Sequence, residues 1–213
     1  MDALPAPYYQ DGSVSIYVGD SRVLLPQMPH ADLVLCDHPY GVDLVYDAWK
    51  DDEAGWFALM DEMIPKMRAQ ADMVIFPSCQ IRRLGWFYRN HEPDWLISWH
   101  KGSPGHVSKI GFNDWEPLIV YGRSKGLCMH DYLSVNNTEQ MGNYGHPCPK
   151  PLKWATWLID RACPEGGLVI DPFMGSGTTL RAAKDLGRKA IGIELSKAYA
   201  DVAIGRMRQE VLF

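Results

Sequence analysis

The sequence predicts an α/β fold in which helices cover both faces of a mostly parallel sheet. The apolar run at residues 33–36 ends in Asp37 and a Pro/Gly turn, which is typical of a strand buried on both faces. Residues 167–194 have the pattern of a strand, a glycine turn, a helix and a second strand, the alternation from which such sheets are built. Ligands of these folds bind beyond the carboxyl ends of the strands, so we expect a site at that edge.

Composition and charge restrict the class of protein. With 213 residues, of which 46% are hydrophobic and 22% charged, we expect a single globular domain spanning 1–213. The chain shows no apolar run of membrane-spanning length and no N-terminal signal pattern, and its five cysteines form no C-x-x-C pair. We therefore expect a cytoplasmic protein with reduced thiols, no bound metal and no membrane contact. The net charge of −5 argues against binding nucleic acid by overall charge alone, but a local basic face remains open.

Hydrophobic periodicity predicts the other elements in chain order. Strands are expected at 14–18, 33–36, 73–76, 95–99, 118–121, 168–170 and 189–193. Helices are expected over 53–68, 79–89, 152–161, 178–186 and 196–208, and Pro65 predicts a kink in the first of these. The stretches around 101–113 and 122–149 are glycine-rich or lack periodicity, and we interpret them as a small insertion that recognises the substrate.

The turn after the buried strand carries the first candidate site. Asp37, His38, Pro39 and Tyr40 combine a carboxylate acceptor, exposed backbone carbonyls and an aromatic ring. Such a set can hold a planar group that carries an NH2, as in a nucleobase extruded from a nucleic acid. The alternative is an ordinary strand exit in which Asp37 caps a turn, and these four residues alone leave it open.

The glycine turn at 172–177 favours one kind of nucleotide cofactor. A strand, a glycine turn, a helix and an acid at the next strand end, here Glu194, form the general arrangement for binding an adenosine ribose. A dinucleotide is the main alternative, but Leu180 stands where its fingerprint requires a third glycine. Asp171 is also unfavourable beside a pyrophosphate, whereas its charge suits the ammonium and sulfonium groups of S-adenosylmethionine (SAM). The local chemistry thus favours SAM over a nicotinamide dinucleotide.

Several motifs resemble those of the DNA amino-methyltransferases, which transfer a methyl group from SAM to adenine N6 or cytosine N4. Residues 37–40 resemble their Asp/Asn/Ser-Pro-Pro-Tyr motif, except that His38 replaces the first proline. Residues 171–179, Asp-Pro-Phe-Met-Gly-Ser-Gly-Thr-Thr, are similar to their SAM motif. Residues 146–151 resemble the segment that helps to close the cofactor pocket, and Asp20 resembles the strand-end acid that contacts the SAM adenine. Residues 115–117 resemble a further family feature, to which we assign no role.

The resemblance implies a fold, a partner and a set of site residues. The catalytic turn precedes the SAM motif, as in the circularly permuted beta group, which implies a seven-stranded Rossmann-like SAM-dependent methyltransferase sheet with one antiparallel strand. DNA is the implied partner, and a homodimer stays open. The implied catalytic residues are Asp37, His38, Pro39 and Tyr40. The implied cofactor residues are Asp20, His146, Lys150, Asp171, Phe173, Gly175, Ser176, Gly177, Thr178 and Glu194, and the candidate DNA contacts are Arg82, Arg83, Lys101 and Lys109.

Within that resemblance, Asp37 in place of a serine favours adenine N6 over cytosine N4. Methylation of cytosine N4, binding of SAM or DNA without turnover, and methylation of RNA or protein stay open as alternatives. His38 keeps the backbone carbonyl of its position but lacks the fixed φ of a proline. We therefore predict methyl transfer that is retained but slower, with a catalytically degenerate homologue as the alternative.

Overall fold

The structure is a computed structural model that describes residues 4–46, 48–102, 111–123, 130–136 and 150–209. Its strands are β1 (Tyr9–Gln10), β2 (Val14–Val18), β3 (Ala31–Leu35), β4 (Ala71–Pro77), β5 (Trp95–His100), β6 (Trp115–Gly122), β7 (Tyr132–Ser134), β8 (Leu168–Asp171) and β9 (Lys189–Glu194). Its α-helices are α1 (Ser21–Leu24), α2 (Glu53–Gln70), α3 (Leu84–Asn90), α4 (Leu152–Ala162), α5 (Thr178–Asp185) and α6 (Lys197–Met207). Short 3-10 helices lie at Leu25–Gln27 and Ile81–Arg83.

The strands of the described residues form one sheet in the order β1-β2-β9-β8-β3-β4-β6-β5-β7. From β2 to β4 the neighbours are parallel. β6 runs antiparallel to both β4 and β5, β1 runs antiparallel to β2, and β7 pairs with β5 in parallel. The prediction of an α/β fold with a mostly parallel sheet is confirmed.

The strand β3 is buried on both faces because its side chains alternate between two hydrophobic cores. Leu33 and Leu35 belong to the core formed with α4, α5 and α6. Val34 and Cys36 belong to the core on the opposite face, which is formed with α1, α2 and α3. From Leu33 to Cys36 neither face reaches water, so every position is apolar and the sequence shows a continuous run instead of an alternating one. Asp32, near the start of the strand, is partly exposed.

The sheet topology brings several functional turns to one edge. β9, β8, β3 and β4 are consecutive parallel neighbours, so their carboxyl ends point the same way. Asp37 follows β3, Pro77 ends β4, Asp171 ends β8 and Glu194 ends β9. Residues from both halves of the sequence therefore meet at the carboxyl edge, which is where ligands of such sheets bind.

The structure corrects several details of the sequence prediction. The sheet has nine strands in the described residues, not seven, because β1 and β7 contain two and three residues and are too short for a periodic signal. Among the seven predicted strands only β6 runs opposite to the others, as predicted, and the additional short strand β1 is a second antiparallel one. Pro65 lies inside α2, whose helical span is uninterrupted, and the kink predicted there stays a prediction.

The predicted insertion is described only in part. Residues 103–110, 124–129 and 137–149 lie outside the described residues, whereas 132–134 form β7 at the sheet edge. In the part of the chain that the structure describes, none of the helices combines the length and the apolar character needed to cross a membrane.

Candidate active site

A cleft at the carboxyl edge of the sheet joins the two predicted turns. It consists of two adjoining cavities, which share Asp37, Phe173 and Gly175 in their walls. The larger cavity extends towards Asp20 and Glu194, and the smaller one towards Lys150. The acidic turn after β3 and the glycine turn after β8 thus face one space, as the sequence predicted.

Asp37 presents one carboxylate oxygen that is paired and one that is not. Its Oδ2 accepts a hydrogen bond from Nζ of Lys150 at 2.7 Å. Its Oδ1 is buried and has no hydrogen-bond partner among the described residues. Lys150 also donates to the hydroxyl of Tyr40, and its Nζ lies 4.6 Å from the centre of that ring. Because an unpaired buried acceptor is costly, Oδ1 is suited to accept a donor from a bound molecule.

A buried carboxylate stabilises the turn that carries Tyr40. Asp51 is 2% exposed and accepts hydrogen bonds from the backbone N–H groups of Gly41 at 2.6 Å, Val42 at 3.1 Å and Leu44 at 3.2 Å. Gly41 has a φ of +60°, and an added Cβ there would lie 2.6 Å from Cβ of Trp56. Sequence analysis missed Asp51, because it belongs to an acidic stretch that resembles a solvated surface.

A buried arginine also stabilises the same turn. The guanidinium of Arg83 donates to the backbone carbonyl of Tyr40 at 2.5 Å and to that of Gly41 at 3.2 Å. It also lies 3.9 Å from the ring centre of Trp56. Arg83 is only 2% exposed, which does not fit the predicted contact with DNA phosphates. We assign it to the support of the turn that carries Tyr40, where its planar set of donors matches two carbonyls.

The other predicted DNA contacts differ in exposure. The side chain of Arg82 is 66% exposed and pairs with Glu53 at 2.8 Å, so it remains available to a large ligand. The side chain of Lys101 is 19% exposed, and its Nζ lies 3.3 Å from the buried carboxylate of Glu116. Lys109 lies outside the described residues, as does the predicted cofactor residue His146.

The glycine turn is folded tightly against α6 and β9. Gly177 has a φ of +79°, and an added Cβ would lie 2.9 Å from Cβ of Ala203. The carboxylate of Glu194 accepts the backbone N–H of Gly175 at 2.9 Å and that of Ser196 at 2.8 Å. Glu194 therefore fixes the turn and also faces the larger cavity.

A second buried arginine, which sequence analysis missed, anchors the glycine turn. Arg206 of α6 is 7% exposed and donates to the backbone carbonyl of Ser176 at 2.8 Å. The same nitrogen lies 3.2 Å from Oγ of Ser176 and 3.1 Å from Oγ1 of Thr178. A basic residue in the last turn of a helix is usually solvated, so no sequence pattern indicates this contact.

Two of the predicted acids have well-defined surroundings. Asp171 is 2% exposed and accepts the backbone N–H of Phe173 at 3.0 Å, and burial raises its pKa to about 7. Asp20 caps α1 by accepting the backbone N–H of Arg22 at 2.9 Å and pairs with the guanidinium of the same residue, which lowers the pKa of the carboxyl. Asp20 thus performs the helix-capping role and also lines the larger cavity.

Fold and site together define a Rossmann-like α/β protein with a ligand cleft at the carboxyl edge of its sheet. A family described as DNA methylase, N6_N4_Mtase, matches residues 98–205, which is about half of the chain. The chain therefore belongs to this family of DNA amino-methyltransferases.

Individual relatives agree with the family. Over 98% of this chain and 86% of the other, the sequence is 25% identical to the type II methyltransferase M.ScaI of Streptomyces caespitosus. It is 43% identical to the type II methyltransferase M.HindIII of Haemophilus influenzae, over 46% of this chain and 32% of that enzyme.

Solved structures confirm the Rossmann-like fold. The PvuII DNA methyltransferase, described as cytosine-N4-specific, superposes with a TM-score of 0.72 at 21% identity over 98% of this chain and 91% of that one. The complex of M1.HpyAVI with SAM gives a TM-score of 0.68 at 22% identity over 92% of this chain and 100% of that one. At these identities the comparison establishes the fold alone.

Proposed function

We propose that the protein transfers the methyl group of SAM to the exocyclic amine of a base flipped out of DNA. The observation that carries this proposal is the unpaired Oδ1 of Asp37, which is buried in a cleft shared with the glycine turn. Membership of the DNA methylase family supplies the reaction class. The placement of Asp37 supplies the acceptor that an amine requires.

The residues of the larger cavity fit SAM. Glu194 and Asp20 offer carboxylates for ribose hydroxyls and an adenine amine, and Phe173 offers an apolar wall. Asp171 lies in the wall of the smaller cavity, where a negative charge suits the ammonium and sulfonium of the cofactor. Bound SAM supplies a methyl group that its positive sulfur already activates, so the protein has to orient the amine and exclude water.

The proposed mechanism uses the turn after β3 to prepare the amine. The amine lone pair is conjugated with the base, which makes it a weak nucleophile. Asp37 accepts one N–H of the amine, and the backbone carbonyl of His38 accepts the other, which favours tetrahedral geometry at nitrogen. Asp37 also stabilises the positive charge that develops on nitrogen as the bond between methyl and sulfur would break. The methylated amine would then become neutral by releasing one of its protons to solvent. Tyr40 stacks on the extruded base, a contact of roughly 1–3 kcal/mol.

We propose adenine N6 as the target on the basis of Asp37 at the first position of the motif. The second candidate is cytosine N4, because the PvuII enzyme with the similar fold is described as cytosine-N4-specific. Both bases present an exocyclic NH2 to the same acceptors, so the chemistry at Asp37 is common to them. The homodimer that the sequence leaves open stays a prediction, which sedimentation at several protein concentrations tests.

Nucleoside mass spectrometry tests the proposed function directly. DNA of mixed sequence is incubated with the protein and SAM labelled on the methyl group, digested to deoxynucleosides and analysed for labelled N6-methyldeoxyadenosine and N4-methyldeoxycytidine. Parallel reactions contain RNA or an unrelated protein. Label in DNA that disappears with Asp37→Asn supports the proposal, and the labelled base decides between adenine and cytosine. Label found only in RNA or protein, or no label with SAM bound, would contradict it.

A further inference from the structure

His38 stands between the two residues that contact the target, yet its side chain does not enter the cleft. It is 1% exposed, and its ring lies among aromatic side chains of α2 and β4. The ring centres of Trp56 and Phe76 are 5.9 and 5.2 Å away. A buried polar ring in such surroundings requires hydrogen bonds of its own.

The contacts of the ring define which nitrogen carries the proton. Nδ1 lies 3.3 Å from Nε1 of Trp56, an indole nitrogen that can only donate. With the single proton of the neutral ring on Nε2, Nδ1 accepts the Trp56 N–H. Nε2 then donates to the backbone carbonyl of Pro77, 3.1 Å away, so this tautomer serves two protein groups.

The opposite tautomer satisfies fewer groups. A proton on Nδ1 could bond to the carbonyl of Pro39, which is 2.8 Å away. The Nδ1 proton would then point at the Trp56 N–H. The Pro77 carbonyl would face an Nε2 that carries no proton. The neutral form agrees with the burial of the ring, which lowers the pKa of His38 to about 4.

We propose that His38 is a positioning residue, whose Nε2–H fastens the catalytic turn to the end of β4 while Nδ1 receives the Trp56 indole. Pro77 is the last residue of β4, and the bond spans 39 positions of sequence. Asp37 and Tyr40, on either side of His38, are thereby held against the neighbouring strand. Together with Arg83 and Asp51, the imidazole fixes the turn through side chains.

This role explains how the turn tolerates histidine at a position where proline would fix φ. A proline restricts the backbone through its ring and has no side-chain donor. The imidazole leaves φ free in principle but fastens the residue through two hydrogen bonds in a buried site. Methyl transfer should therefore depend on a constraint at position 38, either the Nε2–H donor of the imidazole or the fixed φ of a proline, and not on the volume of the ring.

The tautomer can be measured without any activity. Nitrogen-15 NMR of histidine-labelled protein at pH 7 is expected to show His38 as the neutral Nε2–H form, assigned by the loss of its signals in His38→Gln. A signal from Nδ1–H, or from a charged ring, would overturn the inference. This measurement decides on the hydrogen bond even if the protein transfers no methyl group.

The kinetic test rests on the proposed function and compares three variants. His38→Leu keeps volume but removes both hydrogen bonds, so we expect kcat to fall about 10- to 100-fold, as when a reacting group is misplaced by roughly 1 Å. His38→Gln keeps a side-chain N–H, and His38→Pro fixes φ. We expect both to retain kcat within about fivefold, in line with conservative replacement of one contact.

Three outcomes of this test separate the possibilities. A low kcat for His38→Leu with an unchanged Kd for SAM, rescued in His38→Gln, supports a positioning role. Unchanged kcat in His38→Leu would overturn it, and so would an equal loss of kcat and SAM affinity in both variants, which indicates unspecific damage to the fold. His30→Leu is the matched control, because His30 is an exposed histidine whose ring is 56% accessible. A wild-type protein without methyl transfer would refute the proposed function and leave the NMR result to decide the inference.

Discussion

Nζ of Lys150 lies 2.7 Å from Oδ2 of Asp37, although 113 positions of sequence separate the two residues. Lys150 is 9% exposed, and its backbone carbonyl accepts a hydrogen bond from the hydroxyl of Thr178 at 3.4 Å. One residue thus connects the first turn of α5 to the acid at the end of β3. The connection links the glycine-turn side of the cleft to the turn that follows β3.

We expect Lys150→Met to lower kcat more than it raises the KM for SAM. The methionine keeps the apolar stem but removes the charged donor, so the carboxylate of Asp37 loses a hydrogen bond of about 1.5–3 kcal/mol. The expected fall in kcat is roughly tenfold or more. Steady-state kinetics at saturating DNA separates the two constants, and Lys197→Met is the control, since that lysine is 65% exposed. A rise in KM with kcat unchanged would instead make Lys150 a cofactor-binding residue, as the family resemblance implies.

Asp37→Asn should abolish methyl transfer while SAM still binds. The amide replaces one acceptor oxygen by a donor, which cannot receive an N–H of the target amine. By analogy with loss of a group that stabilises developing charge, kcat should fall about 10²- to 10³-fold. Single-turnover kinetics and calorimetric titration with SAM measure the two effects. Asp61→Asn serves as the control because its carboxylate is 58% exposed. Activity within twofold of wild type would remove Asp37 from the mechanism.

The sequence predicted the two turns that line the cleft better than the residues that support them. The motifs at 37–40 and 171–179 are short and contiguous in sequence, so their residue types alone indicate a chemistry. The supporting contacts are remote: Arg83 reaches Tyr40 across 43 positions, and Arg206 reaches Ser176 across 30. No periodic pattern encodes such pairs, because each arginine stands in a helical segment where a solvated side chain is the ordinary expectation.

The fold shows the same division between local and remote information. The buried β3 was predictable because both of its faces meet a core, which leaves an uninterrupted apolar run. β1 and β7 were not, since they have two and three residues and owe their extended form to pairing with β2 and β5. Pairing partners of short edge strands are set by the sheet and not by the segment itself.

The neighbours Arg82 and Arg83 should have separable effects. Arg82→Ala is expected to weaken binding to all DNA sequences equally and to reduce the slope of log K against log salt by about 1, because an exposed guanidinium contacts phosphate. Fluorescence anisotropy at several salt concentrations measures this slope. Unchanged affinity and slope would exclude Arg82 from the DNA interface.

Arg83→Lys should destabilise the protein and slow methyl transfer without changing that salt slope. Lysine keeps the charge but lacks the planar guanidinium, whose two nitrogens donate to the backbone carbonyls of Tyr40 and Gly41. We expect a loss of about 1–3 kcal/mol in the free energy of unfolding, which denaturant titration measures. A reduced salt slope with unchanged stability would restore Arg83 as a phosphate contact.

The pH dependence of SAM binding should follow Asp171. Burial raises the pKa of this carboxyl to about 7, above its ordinary value of 3.8. A folded-state pKa above the unfolded one means that this group stabilises the ligand-free protein most at low pH, and that the contribution is lost as the pH rises through 7. The positive charges of SAM favour the ionised carboxylate, so affinity should increase between pH 5.5 and 7.5 while a proton is released on binding.

Calorimetric titrations in two buffers of different ionisation enthalpy measure that proton release. At pH 6 we expect release of a substantial fraction of one proton, and almost none at pH 8, where the carboxylate is already ionised. Asp171→Asn should bind SAM more weakly and lose the pH-dependent part of the affinity, which separates this group from the other acids of the cleft. An unchanged pH profile in the variant would show that Asp171 is not the group that titrates, and proton uptake in the wild type would reverse the sign of the proposed electrostatic contact.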